Sequence, residues 1–459
     1  MYLETKNDII YTSAFLYFLS VCLWISYDPF SLVLQYEWVI KIAHTYMYFA
    51  IDGLSLFFIY LTTFLIPLCL LFNWQTQHEE EVNNNFISIF IIEILLLLAF
   101  TTTDILMFYI FFETILIPFF IFIGINALRK RKTHASYLLF FYTIGGSIFM
   151  LISILMIYKY TGSTDILVIL DSKYDNVKWL EHFVWICFFI TFAIKIPIFP
   201  FHIWLPEAHV EAPTEGSVLL AGLLLKLGAY GILRFLIPMF PSVTLYYSPL
   251  VITLSILGIV YTSFITIRQI DIKRIVAYSS IAHMNLCILG IFSFNNTAIA
   301  GSILLMISHG LVSGGLFFMI GMLYNRFHTK LIKYYSGLIH YMPIFGTIFF
   351  ILIISNISMP LTSNFIGEFL IIYGLYNSNN IYGLVAAMVG IFIGTLYSIS
   401  LFNRIFFCTI REEHKNISIT DIKWEEVIIM LPIIIHIIWI GIYPNPFLSI
   451  INTYAFFNI

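Results

Sequence analysis

The stretch FAIKIPIFPFHIWLPEAHVEAPTEGS, Phe192–Ser217, starts like the end of a membrane helix and then breaks the pattern. Lys195 stands two residues before Pro197. Pro200, Pro206 and Pro213 follow, interleaved with His202, Glu207, His209, Glu211 and Glu215. A fixed charge at bilayer depth is costly, and helix breakers there free backbone groups that need partners. Whether this segment lies in a membrane therefore decides the fold.

The rest of the chain answers that it does. Of 459 residues, 60% are hydrophobic and only 10% charged, with a mean hydropathy of +0.95. Soluble domains carry about 25% charged residues. An all-α polytopic membrane protein is expected. The net charge of -3 says little about partners, and nucleic acid is not expected among them. The five cysteines, Cys22, Cys69, Cys187, Cys287 and Cys408, form no CxxC pair, which argues against iron–sulfur, zinc and disulfide frameworks. No Gly-rich nucleotide loop of Walker or Rossmann type is present. The run near 9–27 lacks a basic leader and a cleavage site, so it reads as a helix that stays.

A span needs about 20 largely apolar residues. That rule places spans near 9–27, 51–73, 86–103, 105–126, 135–158, 183–207, 215–236, 247–268, 274–292, 297–323, 343–376, 382–407 and 426–444, thirteen in all. The stretch 343–376 is too long for one straight helix and contains SNISMPLTSNFIGE, so a broken helix is expected there as well as after Lys195. The loops then alternate sides. One side collects Lys6, Arg129, Lys130, Arg131, Lys132, Arg268, Lys273, Arg274, Arg326, Lys330, Lys333, Arg404, Arg411, Lys415 and Lys423, fifteen cations; the other has Lys41, Lys159, Lys173, Lys178 and Arg234. The positive-inside rule puts the first side in the cytoplasm or mitochondrial matrix. The acidic run Glu79–Glu81 falls on it too, either as a solvated loop or as a partner for residues 129–132.

Two of the 22 Lys/Arg remain, Lys195 and Lys226, both inside spans. Lys226 is too central to snorkel. An intramembrane charge faces protein or water and is a functional candidate by default. Glu113 and Glu93 are also mid-span, and Glu368 follows the break in the long span. His283 and His309 sit mid-span, where a satisfied structural histidine is the commoner finding. Asp52 and Asp104 open spans and read as N-caps. Single titratable groups spread through lipid suit proton movement better than a bulky solute. A metal would need clustered ligands, and His202, Glu207, His209 and Glu211 fit no common metal spacing. The two breaks lie in the sixth and eleventh spans, and an odd offset means opposite orientation. Two inverted five-helix repeats, 105–236 and 247–407, are therefore expected, flanked by 1–103 and 426–444.

These residues carry a resemblance. KIPIFPFHIWLPEAHVEAPTEGSVLLAGLLLKLGAYGILRF (195–235) is very similar to the antiporter-like membrane subunits of respiratory complex I, the proton-pumping NADH:ubiquinone oxidoreductase. DILMFYIFFETILIPFFIF, TIRQIDIKRIVAYSSIAHMNL, ILLMISHGLVSGGLFF and SMPLTSNFIGEFLI fit the same family in the same order, from about Ala50 to Pro446. HVEAPT and LLKLGAYG resemble mitochondrial, especially plant-like, forms. The resemblance implies a subunit of the mitochondrial inner membrane, organelle-encoded as the Phe-, Ile- and Asn-rich composition also hints. It implies Glu113 as the fifth-helix glutamate, Lys195 as the lysine of the first broken helix and Lys226 as the central lysine. It implies His283 and His309 as central-axis histidines, and Glu368 as the last group before the exit. NADH, FMN, iron–sulfur clusters and ubiquinone would sit in other subunits, with no cofactor on this chain. Its implied partners are membrane lipids, protons and other membrane-arm subunits, neighbouring antiporter-like chains above all.

Two departures stand out. The family usually has 14 helices, and the most N-terminal one is missing from the count, either lost or supplied by a separate piece. Glu215 stands where the family usually has a small residue, and an extra solvated acid at a turn is the plain expectation. Lys195 is expected within pairing distance of Glu113, so that their approach and separation would switch its proton affinity. Protons would then pass to Lys226, His283, His309 and Glu368 and leave on the Lys41 side. A subunit of a multi-subunit cation/proton antiporter is the rival reading, and a purely structural spacer the third.

Overall fold

A computed structural model describes residues 2–29, 34–42, 45–76, 79–126, 131–171, 178–407, 409 and 420–457. Arg129, Lys130, Lys173, Cys408, Arg411 and Lys415, and the side chains of Glu79–Glu81, lie outside the described residues. Helix covers each expected span. In chain order the elements are α1 (Tyr2–Ser26), β1 (Gln35–Ile42), β2 (Thr45–Ile51), α2 (Gly53–Thr76), α3 (Glu79–Thr101), α4 (Ile105–Thr114) and α5 (Leu116–Asn126). Then come α6 (Lys132–Thr161), the short α7 (Ile166–Asp171), α8 (Lys178–Lys195), α9 (Trp204–Glu211) and α10 (Thr214–Met239). The second half holds α11 (Pro241–Arg268), α12 (Ile272–Ile291), α13 (Asn296–Phe327), α14 (Pro343–Asn356), α15 (Ser363–Asn377), α16 (Ile381–Phe406), α17 (Trp424–Ile442) and α18 (Asn445–Phe457).

Among the described residues, ten helices are by themselves long and apolar enough to cross a membrane. The three expected spans outside that set are α3 and the two broken pairs, α8/α9 and α14/α15. Local chemistry explains many boundaries. Asp104 accepts from Leu106 N at 2.8 Å and Met107 N at 3.1 Å, the expected cap of α4. Pro241 and Pro343 start α11 and α14, where a missing N–H costs nothing. Gly162, with φ of 73°, ends α6 in the left-handed region.

The chain is a multi-pass membrane protein. α10 and α13 are buried along their whole apolar lengths, whereas α1 is largely exposed. On α16, Val385, Met388, Phe392, Leu396 and Ile399 are exposed at helical spacing while Ala386, Ile393 and Tyr397 are buried. An apolar outer face of that kind fits a membrane-spanning helix. α13 packs against α15, α12, α10 and α18 and forms the axis of the bundle.

One element departs from the all-α expectation. Residues 35–51 form an antiparallel hairpin, pairing Val39 with Tyr48 and Lys41 with Tyr46, between α1 and α2. Its aromatic and β-branched residues, QYEWVIKI and TYMYFAI, favour strands. Lys41 thus lies in a strand rather than in an irregular loop.

Candidate functional site

Both expected breaks are present, at 196–203 and 357–362. At the first, the carbonyls freed at the end of α8 find partners within the break. Ile198 N donates to Ala193 O at 2.9 Å, and the Trp204 indole donates to Ile194 O at 2.9 Å. This places Lys195 as the last residue of α8, 2% exposed. No hydrogen-bond partner meets its Nζ among the described residues. The ammonium lies 4.3 Å from the centroid of the Phe112 ring, a cation–π distance.

Glu113 follows Phe112 in the last turn of α4, with Ser147 of α6 beside it. Its charge and that of Lys195 act on each other. No ion pair joins them, and one Glu113 oxygen is buried without a partner. The expected pairing distance is therefore corrected: the two are in electrostatic reach, and the Phe112 face takes the place beside the amine.

α10 reaches Lys226 through an unusual backbone. Its α-helix is interrupted by π-helical turns at Leu220–Leu224 and Ile232–Leu236. A π turn leaves a carbonyl without its i+4 partner. The fully buried Lys226 Nζ donates to the Ala221 carbonyl in the first of these turns. Gly228 and Gly231 let α8 approach: a Cβ at either would stand 2.6 Å from Ile196 or 2.3 Å from Phe192. The helix that ends at Lys195 thus packs directly on the helix of Lys226.

From Lys226 three further titratable groups follow, the two histidines meeting only ring to ring. The Lys226 Nζ is 3.1 Å from His309 Nδ1 on α13. The His309 and His283 rings are 5.5 Å apart between centroids. His283 Nδ1, on α12, is 3.0 Å from Glu368 Oε1 on α15. His283 and Glu368 line a small cleft of about 20 Å³ with Asn356, Gly390, Gly394 and Tyr397. The structure thus joins Lys226, His309, His283 and Glu368, and sets Glu113 and Lys195 apart as a second group. The contact order places His309 before His283, the reverse of the expected sequence.

Several expectations change. Arg234 is not a loop charge: it lies within α10 and pairs with Asp52, which also caps α2 by accepting from Ser55 N at 2.8 Å. Lys273 and Lys330 are buried rather than loop-exposed. Lys330 donates to Val210 O, and Lys273 donates to Ala212 O at 2.9 Å. Glu215 is 3% exposed and is not a solvated acid. Glu93 is buried in α3 with both oxygens unpartnered among the described residues, and nothing in the structure explains it. Glu207 pairs with Arg274 at 2.7 Å. His202 stacks on Phe199 and His209 on Phe317. Among the described residues no three such groups gather as metal ligands. The π turns and the buried Lys273, Glu215 and Arg234 were missed. The only signal for the last three was their closeness to span ends.

Known proteins share this architecture. The family model for the transmembrane part of NADH:quinone oxidoreductases and Mrp antiporters matches residues 102–394. NADH-ubiquinone oxidoreductase chain 4 of Marchantia polymorpha is 47% identical over 452 residues, covering 98% of this chain and 90% of the relative. A chain of respiratory complex I from Thermus thermophilus superposes with a TM-score of 0.88 at 24% identity, over 99% of this chain and 95% of that one. A chain of the Mrp complex from Dietzia sp. gives 0.86 at 17% identity, over 98% and 91%.

Proposed function

The chain belongs to the NADH:quinone oxidoreductase/Mrp antiporter membrane family, and from that premise we propose that it translocates protons as a membrane-arm subunit of respiratory complex I. It contributes to an NADH:ubiquinone oxidoreductase while the electron transfer runs in other subunits, which hold NADH, FMN, iron–sulfur clusters and ubiquinone. The relative's 47% identity over nearly the whole chain favours this reading over a cation/proton antiporter, which rests on the shared family model and on fold. A mitochondrial inner-membrane setting belongs to the same reading. Neighbouring antiporter-like chains and lipid are its partners there.

The observation that carries the proposal is the contact series Lys226–His309–His283–Glu368. Each member can hold or release a proton, and each lies in a buried bundle rather than in lipid, as a relay requires. In the mechanism, Glu113 and Lys195 form the control pair. A desolvated ammonium is destabilised, and a nearby carboxylate restores it. Moving Glu113 toward or away from Lys195 changes how tightly that amine keeps its proton. Released protons reach Lys226, pass to His309 and His283, and leave from Glu368 on the Lys41 side. The segments 105–236 and 247–407 act as two inverted units, the first with four spans rather than the expected five, one holding the control pair and Lys226, the other the exit. Lys226→Ala in the assembled complex, reconstituted in vesicles, is expected to abolish NADH-driven proton movement. Normal pumping by that variant would sink the proposal.

A further inference from the structure

Away from the proton path, the Lys/Arg-rich end of the bundle carries a hollow of about 450 Å³, within the size range of ligand pockets. α11 and α16 pack side by side. Arg268 is the last residue of α11, and Arg404 lies in the last turn of α16. Both line the hollow, with Ile267 and Ile270 on either side of Arg268, and with Lys333 and Ser336 from the connection between α13 and α14. Backbone pairing fixes its floor. Ile272 N donates to Lys330 O at 3.0 Å, and Ile332 N donates to Ile270 O at 3.1 Å. The hollow is thus built on two connections tied together, not on a gap between free loops.

Charge there is one-sided. Arg268, Lys333 and Arg404 are exposed, and none is in an ion pair among the described residues. Lys333 Nζ lies 4.8 Å from the centroid of the neighbouring Tyr334 ring. Asp271 is the one acid of the two connections, 269–271 and 328–342, and it stands 3.7 Å from Arg274. Ser336 is 8% exposed, and its hydroxyl has no hydrogen-bond partner among the described residues. Apolar surface continues from the hollow. Ile267 and Ile270 are exposed, as are Phe264 and Tyr261, one and two turns back from Arg268 on the same face of α11. Cations at helix ends are ordinary on this side of a membrane protein, where they reach bulk headgroups. That would account for three scattered charges. It would not account for a hollow that they share, or for a buried hydroxyl at its wall, since buried polar atoms normally find partners.

We propose that this hollow binds a phosphate-bearing anion, the headgroup of an acidic phospholipid. The Arg268 and Arg404 guanidiniums and the Lys333 ammonium hold the phosphate, and the Ser336 hydroxyl donates to it. The acyl chains lie along the Tyr261–Phe264 face. The exposed isoleucines favour a lipid over free phosphate, and the excess of cations favours a headgroup of net negative charge. Basic pockets between spans on the matrix or cytoplasmic side suit such headgroups. The lipid joins the ends of α11 and α16, whose middles supply Ile259 and Gly390 to the cleft of His283 and Glu368. The inference rests on the multi-pass fold and not on proton transfer.

The test is retention of deuterated phosphatidylglycerol by the full chain with its accompanying subunits. The protein is recovered from phosphatidylcholine vesicles doped with that lipid, and bound lipid is counted by native mass spectrometry. The parent should hold a phosphatidylglycerol that Arg268→Gln/Arg404→Gln releases, with affinity falling roughly fivefold per cation removed. Ser336→Ala should weaken retention less. Excess inorganic phosphate in the bath should leave the lipid bound. Phosphate retained in the lipid's place makes this a site for the free anion and overturns the lipid assignment. Equal retention by parent and variants overturns the proposal, whatever their stability. If the double variant fails to assemble, Lys333→Gln on the exposed turn carries the same test. A preparation without oxidoreductase subunits removes the proposed function instead and leaves this site standing.

Discussion

In the second half of the molecule an acid and a base touch across a broken helix; in the first half they do not. His283 and Glu368 are 3.0 Å apart beside the break at 357–362. Lys195 ends at the break of 196–203 with no hydrogen-bond partner among the described residues, and its amine faces the Phe112 ring with no ion pair to Glu113. His283 and Glu368 are close but not aligned as a hydrogen bond, so a small rotation is all that separates them from passing a proton. A pair held just out of contact responds to small shifts of one helix against another, because Coulomb energy in a poorly polarisable interior changes steeply with distance. The difference assigns control to the Glu113–Lys195 end and conduction to the Lys226–Glu368 end.

Removing the charge at the control end is the most severe way to break this contrast. Glu113→Gln should lower proton pumping by about 10²-fold or more in assembled complex, the scale of losing a positioned acid–base group. Proton-to-electron ratios in vesicles measure it, and an unchanged ratio would place control elsewhere. Next comes the conducting end. His283→Ala should cost less, about tenfold, because water can bridge part of the opened gap. A loss as deep as that of Glu113→Gln would erase the distinction between the two halves.

The third test separates position from chemistry. Asp52→Ala leaves the buried Arg234 without its carboxylate, and stranding one member of such a pair costs about 3–5 kcal/mol. Thermal stability of the purified complex should drop, and Arg234→Met in the same chain should recover part of it. Stability equal to the parent would show that the pair does not hold α10 in place. The smallest effect is expected at the break itself. Trp204→Phe removes the indole donor from Ile194 O, a loss of about 1–3 kcal/mol for an unpaired buried carbonyl. Lower stability with normal pumping would give Trp204 a purely structural part. Normal stability would mean that water replaces the indole.

Lys195, Lys226, Glu113 and both breaks were legible in the sequence because charge and proline are conspicuous in an apolar chain. Their cost in lipid makes each one informative alone. Contacts between distant residues were not legible. Asp52 and Arg234 are 182 positions apart, and an arginine near a span end looks the same whether it is solvated or paired. Lys273 and Lys330 read as loop charges for the same reason, yet both reach back to backbone carbonyls near α9. The π turns in α10 arise from a shifted hydrogen-bond register, and LLAGLL carries no residue that demands one. The hairpin at 35–51 carries a strand signal in its β-branched and aromatic runs, masked by the apolar spans on either side.

The Asp52–Arg234 pair also fixes a depth. Asp52 sits at the mouth of α2, where the chain enters the bundle beside the hairpin. Arg234 follows Lys226 by eight residues, about 12 Å along a helix. Tying the arginine to that rim sets how far below it the central amine hangs. The pair thus works as a plumb line: it fixes the height of Lys226 between the two water phases, and with it how much of the membrane each half-path must cross.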